Sequence, residues 1–446
     1  MEDQQVLRIE LALEVSMPQT ESLFQALALA FWRFQGVAAS ELFAATLKSM
    51  EDRLWMNLMA MNPGRYRHKG RQPRTWQMPF GRVHMPLLKL WDDKERRMVV
   101  PLREALDLPA YIRWTEDSLL PGYRLALIQS FRKSVKALDG MGPQGATPGH
   151  TTLHRRFQGF ADKLDPVPDL SHKRGPKPSA YQMADGTKIK LQRAGHHAGG
   201  ADIRLVVGSL TPQGKLEVLD VSVGDGWDVV AARLKKRFPS PPKALVSDGE
   251  EGIPLALMGP ETIHQRCLFH ARRGLDYALY QDGFTKVYRQ PFRERFETVG
   301  GVHLTQNQLN AIDPKDQARI QQLLEQSDKA FQELISGLPS DLYPHTVAYL
   351  AGLVQDSLAY LRHLLQTGKK LLLSSNRLES IWSRVVLRIK KIGRRWSPQG
   401  ALRMLAATLL YVLHPGRYRE LEAQLRGDKL PHVSLVITSL RTEWIA

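Results

Sequence analysis

At Tyr181 the hydrophobic period of this 446-residue chain changes, and that change constrains the fold more than any other feature. Upstream, apolar residues recur mostly at helical spacing. From Tyr181 they alternate with polar ones, the two-residue period of a strand buried on one face. "YQMADGTKIKLQ" (181–192), "IRLVVGSL" (203–210) and "KLEVLDVSV" (215–223) read as three successive strands. "DGWDVVAARLKKRF" then places Trp227, Val230, Ala231, Leu234 and Phe238 on one helical face, and "KALVSDG" reads as a fourth, buried strand.

Three strands, a helix and a fourth strand is the order that opens a ribonuclease-H-like α/β domain. That order gives two aspartates a special place. Asp185 shares strand parity with Met183, Ile189 and Leu191, so it sits on an inward face, where a lone carboxylate is costly unless it is paired or binds metal. Asp248 closes the fourth strand, and ligands of open α/β sheets gather at strand carboxyl ends. Each is also an Asp-Gly pair, the composition of a plain turn. In this strand order the two are neighbours.

A third carboxylate follows much later. In "SSNRLESIWSRVVLRIKKIGRRWS" (374–397), Leu378, Ile381, Trp382, Val385 and Ile389 form an apolar helical stripe, and Glu379 lies one step off it. A helix packed across the strand ends would bring Glu379 to both aspartates. The basic run after it, Arg388, Lys390, Lys391, Arg394 and Arg395, suits a phosphate backbone. Asp220, Asp225, Asp228, Glu250 and Glu251 are rival acids; Asp225 and Asp228 fit a helix start better, and Glu250 and Glu251 a supporting place.

The net charge of +17 points to a polyanionic partner, double-stranded DNA first and an anionic membrane second. The basic residues are spread over strand-bearing segments and not one amphipathic helix, which disfavours the membrane, and no stretch reaches the ~18 apolar residues of a span. "RYRHKGRQPRTW" interleaves Arg65, Arg67, Lys69, Arg71 and Arg74 with Tyr66 and Trp76, as a basic loop for phosphates. "GRVHMPLLKLWDDKERRMVVPL" reads as a hairpin turning at Asp92–Glu95, and "LPGYRLALIQSFRKSVKAL" as one amphipathic helix. The next helix is expected to start with Thr147 as N-cap and Pro148 at its first position. It would bury Leu153, Phe157, Phe160 and Leu164 and show Thr151, His154, Arg155 and Gln158, the arrangement of a helix-turn-helix in a major groove.

The acidic, polar N-terminus is unlike a secretory signal. A single cysteine, Cys267, excludes an internal disulfide framework and multi-thiolate zinc sites, so a reducing, cytoplasmic setting is expected. Cys267 and His270 cannot by themselves fill a tetrahedral site; a structural role, a DNA contact or plain burial remain open.

With these residues in order, the chain resembles the DDE transposases of bacterial insertion sequences, specifically the Mutator-like group with a helical insertion. "ADGTKIK" looks like its first-aspartate strand, "ALVSDGEEGI" like its second-aspartate segment, and "HQRCLFHARRGL" like its Cys-x-x-His element. The helix from Asn376 looks like the segment bearing the final Glu, within an Asn-x-x-Glu pattern. The likeness covers about residues 180–415. It implies Asp185, Asp248 and Glu379 as ligands of two Mg²⁺ or Mn²⁺ ions, with Cys267, His270 and Asn376 in support. It also implies terminal-repeat binding by the N-terminal region, DNA cleavage and strand transfer, a homodimer or larger assembly, and a nucleoid-associated bacterial location. Unlike some relatives, residues 65–101 carry no cysteine for a zinc-ribbon-like segment.

The layout expected is an N-terminal strand (6–15) and helices within 1–62, a basic loop and β-hairpin (63–110) and a helix-turn-helix-like region (111–170). A linker (171–179) leads to the catalytic domain (180–283 and 374–415), interrupted by an all-α insertion (284–373) and followed by a tail (416–446). Two rivals share parts of this reading: a nuclease or resolvase that cuts without joining, and a transposase-derived DNA-binding regulator.

Overall fold

The computed structural model describes residues 23–106, 108, 113–141, 147–167, 179–192, 199–392 and 396–426. The strand expected over 6–15, most of the 171–179 linker, Arg394 and Arg395 lie outside the described residues. The chain divides into two compact units, one drawn from Met1–Arg156 and Leu421–Ala446 and the other from Phe157–Glu420.

The first unit begins with a long helix, α1 (Leu23–Met61), followed by strands β1 (Tyr66–Met78), β2 (Gly81–Asp92) and β3 (Arg97–Val99), paired antiparallel in that order. In β2, buried Val83, Met85 and Leu87 alternate with exposed Arg82, His84 and Pro86, the signature of a strand covered on one side. The covered side packs on Leu47 of α1 and on Trp76, Val100 and Leu102. Beside the register shift between His68 and Arg71, Glu51 of α1 is wholly buried. It accepts the Leu88 N–H at 2.7 Å and pairs with Arg71 at 2.8 Å.

The basic segment 65–76, expected as a loop, is instead strand β1. Its backbone groups find partners in β2, and lysine, arginine and Pro73 are the residues an edge strand tolerates. A short α2 (Pro101–Ala105) leads to α3 (Glu116–Ile128), α4 (Phe131–Met141) and α5 (His150–Ala161). The single helix expected through Leu120–Leu138 is thus two. Ser130 breaks it by offering its hydroxyl to the Lys133 N–H at 3.3 Å, a local capping bond that competes with helix continuation. Thr147 is not the N-cap of α5, which starts later, at His150; its hydroxyl donates to Asp139 at 3.0 Å.

The second unit is built on a mixed five-stranded sheet. Strands β4 (Tyr181–Leu191), β5 (Gly199–Ser209) and β6 (Glu217–Val223) run antiparallel as a meander. Helix α6 (Trp227–Arg237) crosses back so that β7 (Ala244–Ser247) pairs parallel with β4. Helix α7 (Gly252–Leu257) precedes β8 (Ile263–Arg266), parallel to β7, and the sheet order is β6-β5-β4-β7-β8. This α/β arrangement is compatible with a ribonuclease-H-like fold. Helices α6 and α7 cover one face through Ala184, Val206, Leu219, Val230, Leu245 and Ile253.

Beyond β8 come α8 (Leu268–Gln281), α9 (Lys286–Phe296), α10 (Gly300–His303), α11 (Gln306–Ala311), α12 (Gln317–Ser336), α13 (Pro344–Asp356) and α14 (Ala359–Thr367). Leu268, Leu275, Phe296, Phe331 and Leu361 share one apolar core. The chain then enters α15 (Asn376–Val386), a π-helical turn (Leu387–Ile392), α16 (Pro398–Leu413) and α17 (Pro415–Arg426). Among the described residues no helix is long and apolar enough to cross a membrane.

The Glu51–Arg71 pair yields a stability test. Arg71→Met strands a buried carboxylate and should lower unfolding stability by about 3 kcal/mol. Adding Glu51→Gln should restore part of that loss, and chemical denaturation of the two single variants and the double variant gives the coupling directly.

Candidate active site

The parallel pairing of β4 with β7 sets Ala184 opposite Ser247, so the residues that follow each, Asp185 and Asp248, stand side by side. Ala184 belongs to the core under α6, and strand alternation turns Asp185 to the other face. Asp185 is 8% exposed, and one of its oxygens accepts the Gly186 N–H at 2.7 Å. Burial, then the charges of Asp248 and Glu379, push its pKa up to about 7. Asp248 is half-buried and accepts the Glu250 N–H at 3.0 Å, which shapes the turn after β7. Gly249 continues that turn at φ +106°, where a side chain would be strained and would collide with the Arg266 guanidinium.

Glu379 comes from the first turn of α15, and three contacts bring that helix to the sheet. The Leu268 N–H donates to Leu373 O at 2.9 Å, the Ser375 N–H donates to the Cys267 sulfur at 3.3 Å, and the Cys267 N–H donates to Ser247 O at 2.8 Å. Cys267 is completely buried where β7, α8 and the segment before α15 meet. Burial raises its pKa, but His270 and the Ser375 N–H outweigh burial and leave the thiol below its ordinary value. His270, one turn along α8, stands 3.4 Å from the Glu379 carboxylate. The Cys267 sulfur, opposed by burial and helped by Glu379 and Asp185, raises the His270 pKa. Beyond α15 and the π-helical turn, Trp396 donates from its indole to Ile389 O at 3.0 Å, and its backbone O accepts from Gln192, just past β4.

Asp185, Asp248 and Glu379 therefore gather around the carboxyl end of β7, with His270 beside Glu379. Hard carboxylate oxygens are the donors that Mg²⁺ and Mn²⁺ prefer, and a dication relieves the crowding that keeps a proton on Asp185. Among the described residues no three His, Cys, Asp or Glu side chains already converge as a set that would hold a metal ion. The donor chemistry fits a divalent cation; closing the set requires side-chain movement, of Glu379 away from His270 above all. Asn376 is exposed at the start of α15.

The rival acids have other partners. Arg233 bonds Asp220 through two nitrogens, both at 2.8 Å, and Asp225 at 2.7 Å. Glu250 accepts from the Trp227 indole at 2.8 Å and from Arg204 at 3.2 Å.

The basic residues divide in the same way. Arg65 is clamped on Asp92 at 2.9 and 2.6 Å, and Arg71 is spent on Glu51. Arg67 holds Asp93 but stays largely exposed, Lys69 is exposed, and Arg74 is half-buried on β1. On α5, Thr151, His154 and Arg155 are exposed and Gln158 is half-buried. Arg388 is a correction: it is 2% exposed and lies over the Trp396 ring, with burial lowering its pKa to about 10. The π-helical turn spaces residues differently from an α-helix and leaves Arg388 and Ile389 both inside. Lys390 and Lys391 are exposed, and the Lys390 ammonium reaches the Thr187 hydroxyl.

Sequence reasoning passed over Arg266, although it stands next to Cys267. Its signal was positional: it ends β8 and pairs with Ser247, one residue short of Asp248.

No family model matches the chain, and no curated protein matches it. Among solved structures it is similar to one described as "Drosophila P element transposase strand transfer complex", at 11% identity and a TM-score of 0.25, covering 70% of this chain and 83% of that one. A likeness that shallow bears no weight for fold or function.

The proton on Asp185 predicts a pH dependence. The folded chain holds it up to about pH 7, whereas an unfolded aspartate releases it near pH 3.9. Between about pH 4 and 7 the folded state binds more protons, so stability falls as pH rises. Thermal melts in a chelator should show this decline for the wild type and a flatter profile for Asp185→Asn; equal slopes would count against the assignment.

Proposed function

We propose that this chain is a DNA strand-transfer enzyme, a DDE-type transposase in which Asp185, Asp248 and Glu379 hold two divalent cations. The observation that carries the reading is the nearness of three carboxylates from β4, the end of β7 and α15: burial first, then the charges of Asp248 and Glu379, push the Asp185 pKa up to about 7. Among bacterial insertion-sequence enzymes, the Mutator-like group with a helical insertion is the finer assignment, with residues 284–373 as the insertion. It rests on the order and spacing of the motifs in the sequence.

When bound, Mg²⁺ or Mn²⁺ supplies activation of the attacking oxygen and charge neutralisation at the leaving one. The side chains do the rest. Asp185 gives up its proton when the site is loaded, Asp248 presents its carboxylate from a turn fixed by Gly249 and the Glu250 N–H, and Glu379 exchanges His270 for the site. His270, its pKa raised first by the Cys267 sulfur, stays at the edge of the site on α8. Hydrolysis at an element end and attack of the freed 3′-hydroxyl on target DNA are the same in-line displacement, so one site serves both. Double-stranded DNA is the substrate, with the exposed residues of α5 and β1 as its first contacts. Handling two ends at once calls for at least a dimer, in the bacterial cytoplasm at the nucleoid.

The deciding experiment is a strand-transfer assay with the element's own ends and Mg²⁺ or Mn²⁺, comparing wild type with Glu379→Gln. Joined products should form with the wild type and fall at least about a thousandfold in the variant, roughly 4 kcal/mol of barrier, while DNA binding persists. Cleavage without joining would instead identify a nuclease, and binding without cleavage a regulator.

Cys267 offers a second test. Cys267→Ala removes the acceptor of the Ser375 N–H and loosens the start of α15. It should lower turnover at least tenfold with little change in DNA affinity, and cost about 1–3 kcal/mol of stability.

A further inference from the structure

A cleft of about 700 Å³ opens beside Asp248 and His270 and continues along α8. Its walls are Arg266, Arg273, Tyr277, Tyr280, Arg289 and Tyr349. Tyr277 and Tyr280 are each 63% exposed, with ring centroids 6.4 Å apart and planes 31° from parallel. Two large aromatic rings stay mostly in water at helical spacing, unlike a packed core, with the Arg289 guanidinium 5.7 Å from the Tyr280 centroid. Tyr349 is the rigid back wall, its hydroxyl donating to Ala271 O at 2.8 Å. Gly274 is what admits it, because a Cβ there would stand 2.1 Å from the Tyr349 hydroxyl oxygen.

The charge of the cleft is set by what each group already holds. Asp276 is neutralised by Arg289 at 2.9 Å and Arg293 at 3.5 Å, and Glu250 is bonded from the other side by Arg204 and Trp227. Arg266 lies over the Tyr349 ring, 5.5 Å from its centroid, and its Nε is buried and finds no hydrogen-bond partner among the described residues. Arg273 has neither an ion pair nor a hydrogen bond among the described residues. Two guanidinium groups thus face a cleft with a stacking platform at its rim, and its volume lies in the range of small-ligand sites. Guanidinium for phosphate and aromatic faces for bases is how unpaired nucleic acid is held without sequence readout. Paired bases are stacked on each other and cannot use such a platform.

We propose that this cleft binds unpaired nucleotides of a DNA strand at its passage past Asp248, with bases on Tyr277 and Tyr280 and a phosphate on Arg266 and Arg273. The assignment rests on the reading of the neighbouring carboxylates as a DNA-processing site. Its test is a binding measurement that needs no catalysis.

In a chelator, the full-length protein is titrated by fluorescence anisotropy against a blunt duplex and the same duplex with a short unpaired 3′ tail. The wild type should bind the tailed duplex at least about tenfold more tightly. Tyr277→Ala/Tyr280→Ala should abolish that preference and leave blunt-duplex affinity within about twofold, whereas Tyr277→Phe/Tyr280→Phe should keep it. A 2-aminopurine in the tail should be quenched by the wild type, a readout that stands even when the alanine pair folds poorly. Equal affinity for both duplexes with an unquenched probe would overturn the proposal, as would a ribonucleotide tail bound more tightly than the DNA tail. Tail preference in a protein that cuts no DNA would leave the cleft standing and remove the catalytic reading. Cutting without tail preference would do the reverse.

Discussion

The parallel register of β4 on β7 is the constraint on which the rest of the second unit depends. It places Asp185 and Asp248 at the same height on adjacent strands, facing a common space. Two carboxylates so placed repel, and burial of Asp185 adds to the cost. A fold keeps such a pair only when its surroundings over-determine it. Here the sheet is held on one face by the α6 and α7 core and joined through Leu268 and Leu275 to a large helical core beyond β8.

Cys267 connects this sheet to a segment far along the chain. Its backbone N–H continues the end of β7 and its sulfur accepts the N–H of Ser375, so one buried residue ties the second aspartate's strand to the start of the glutamate's helix. Zinc is not needed to explain the cysteine, and the thiol's depressed pKa follows from its two neighbours. His270, on the next turn of α8, carries the effect outward to Glu379. The Cys-x-x-His spacing is thus a helix N-terminus with one residue facing in and the other facing the carboxylates.

Charge in the first unit is used less freely than the net of +17 implies. Arg65 is spent within the hairpin on Asp92, and Arg71 on the buried Glu51 of α1. The cations exposed to a polyanion are fewer, among them Lys69 on β1 and Arg155 on α5. A basic segment can serve either purpose, and only the location of the acids decides which.

The amino-acid order alone determined the elements whose information is local. The alternation of β4 to β6, the buried run of β7, the amphipathic stripe of α15 and the buried face of α5 were all legible, because side-chain period and burial are set by neighbours a few residues away. The places of Asp185 on β4 and of Asp248 at the end of β7 were legible for the same reason: parity and strand ends can be counted. Tertiary structure decided what depends on partners distant in sequence. The segment 65–76 became a strand because β2 satisfies its backbone, Ser130 split one helix into two, and a π-helical turn buried Arg388 on Trp396. The aromatic and basic cleft also needed the folded chain, since Arg266, Tyr277 and Tyr349 come from β8, α8 and α13 and meet only because Gly249 and Gly274 leave them room. Contacts of that kind are settled by packing, and packing has no period to read.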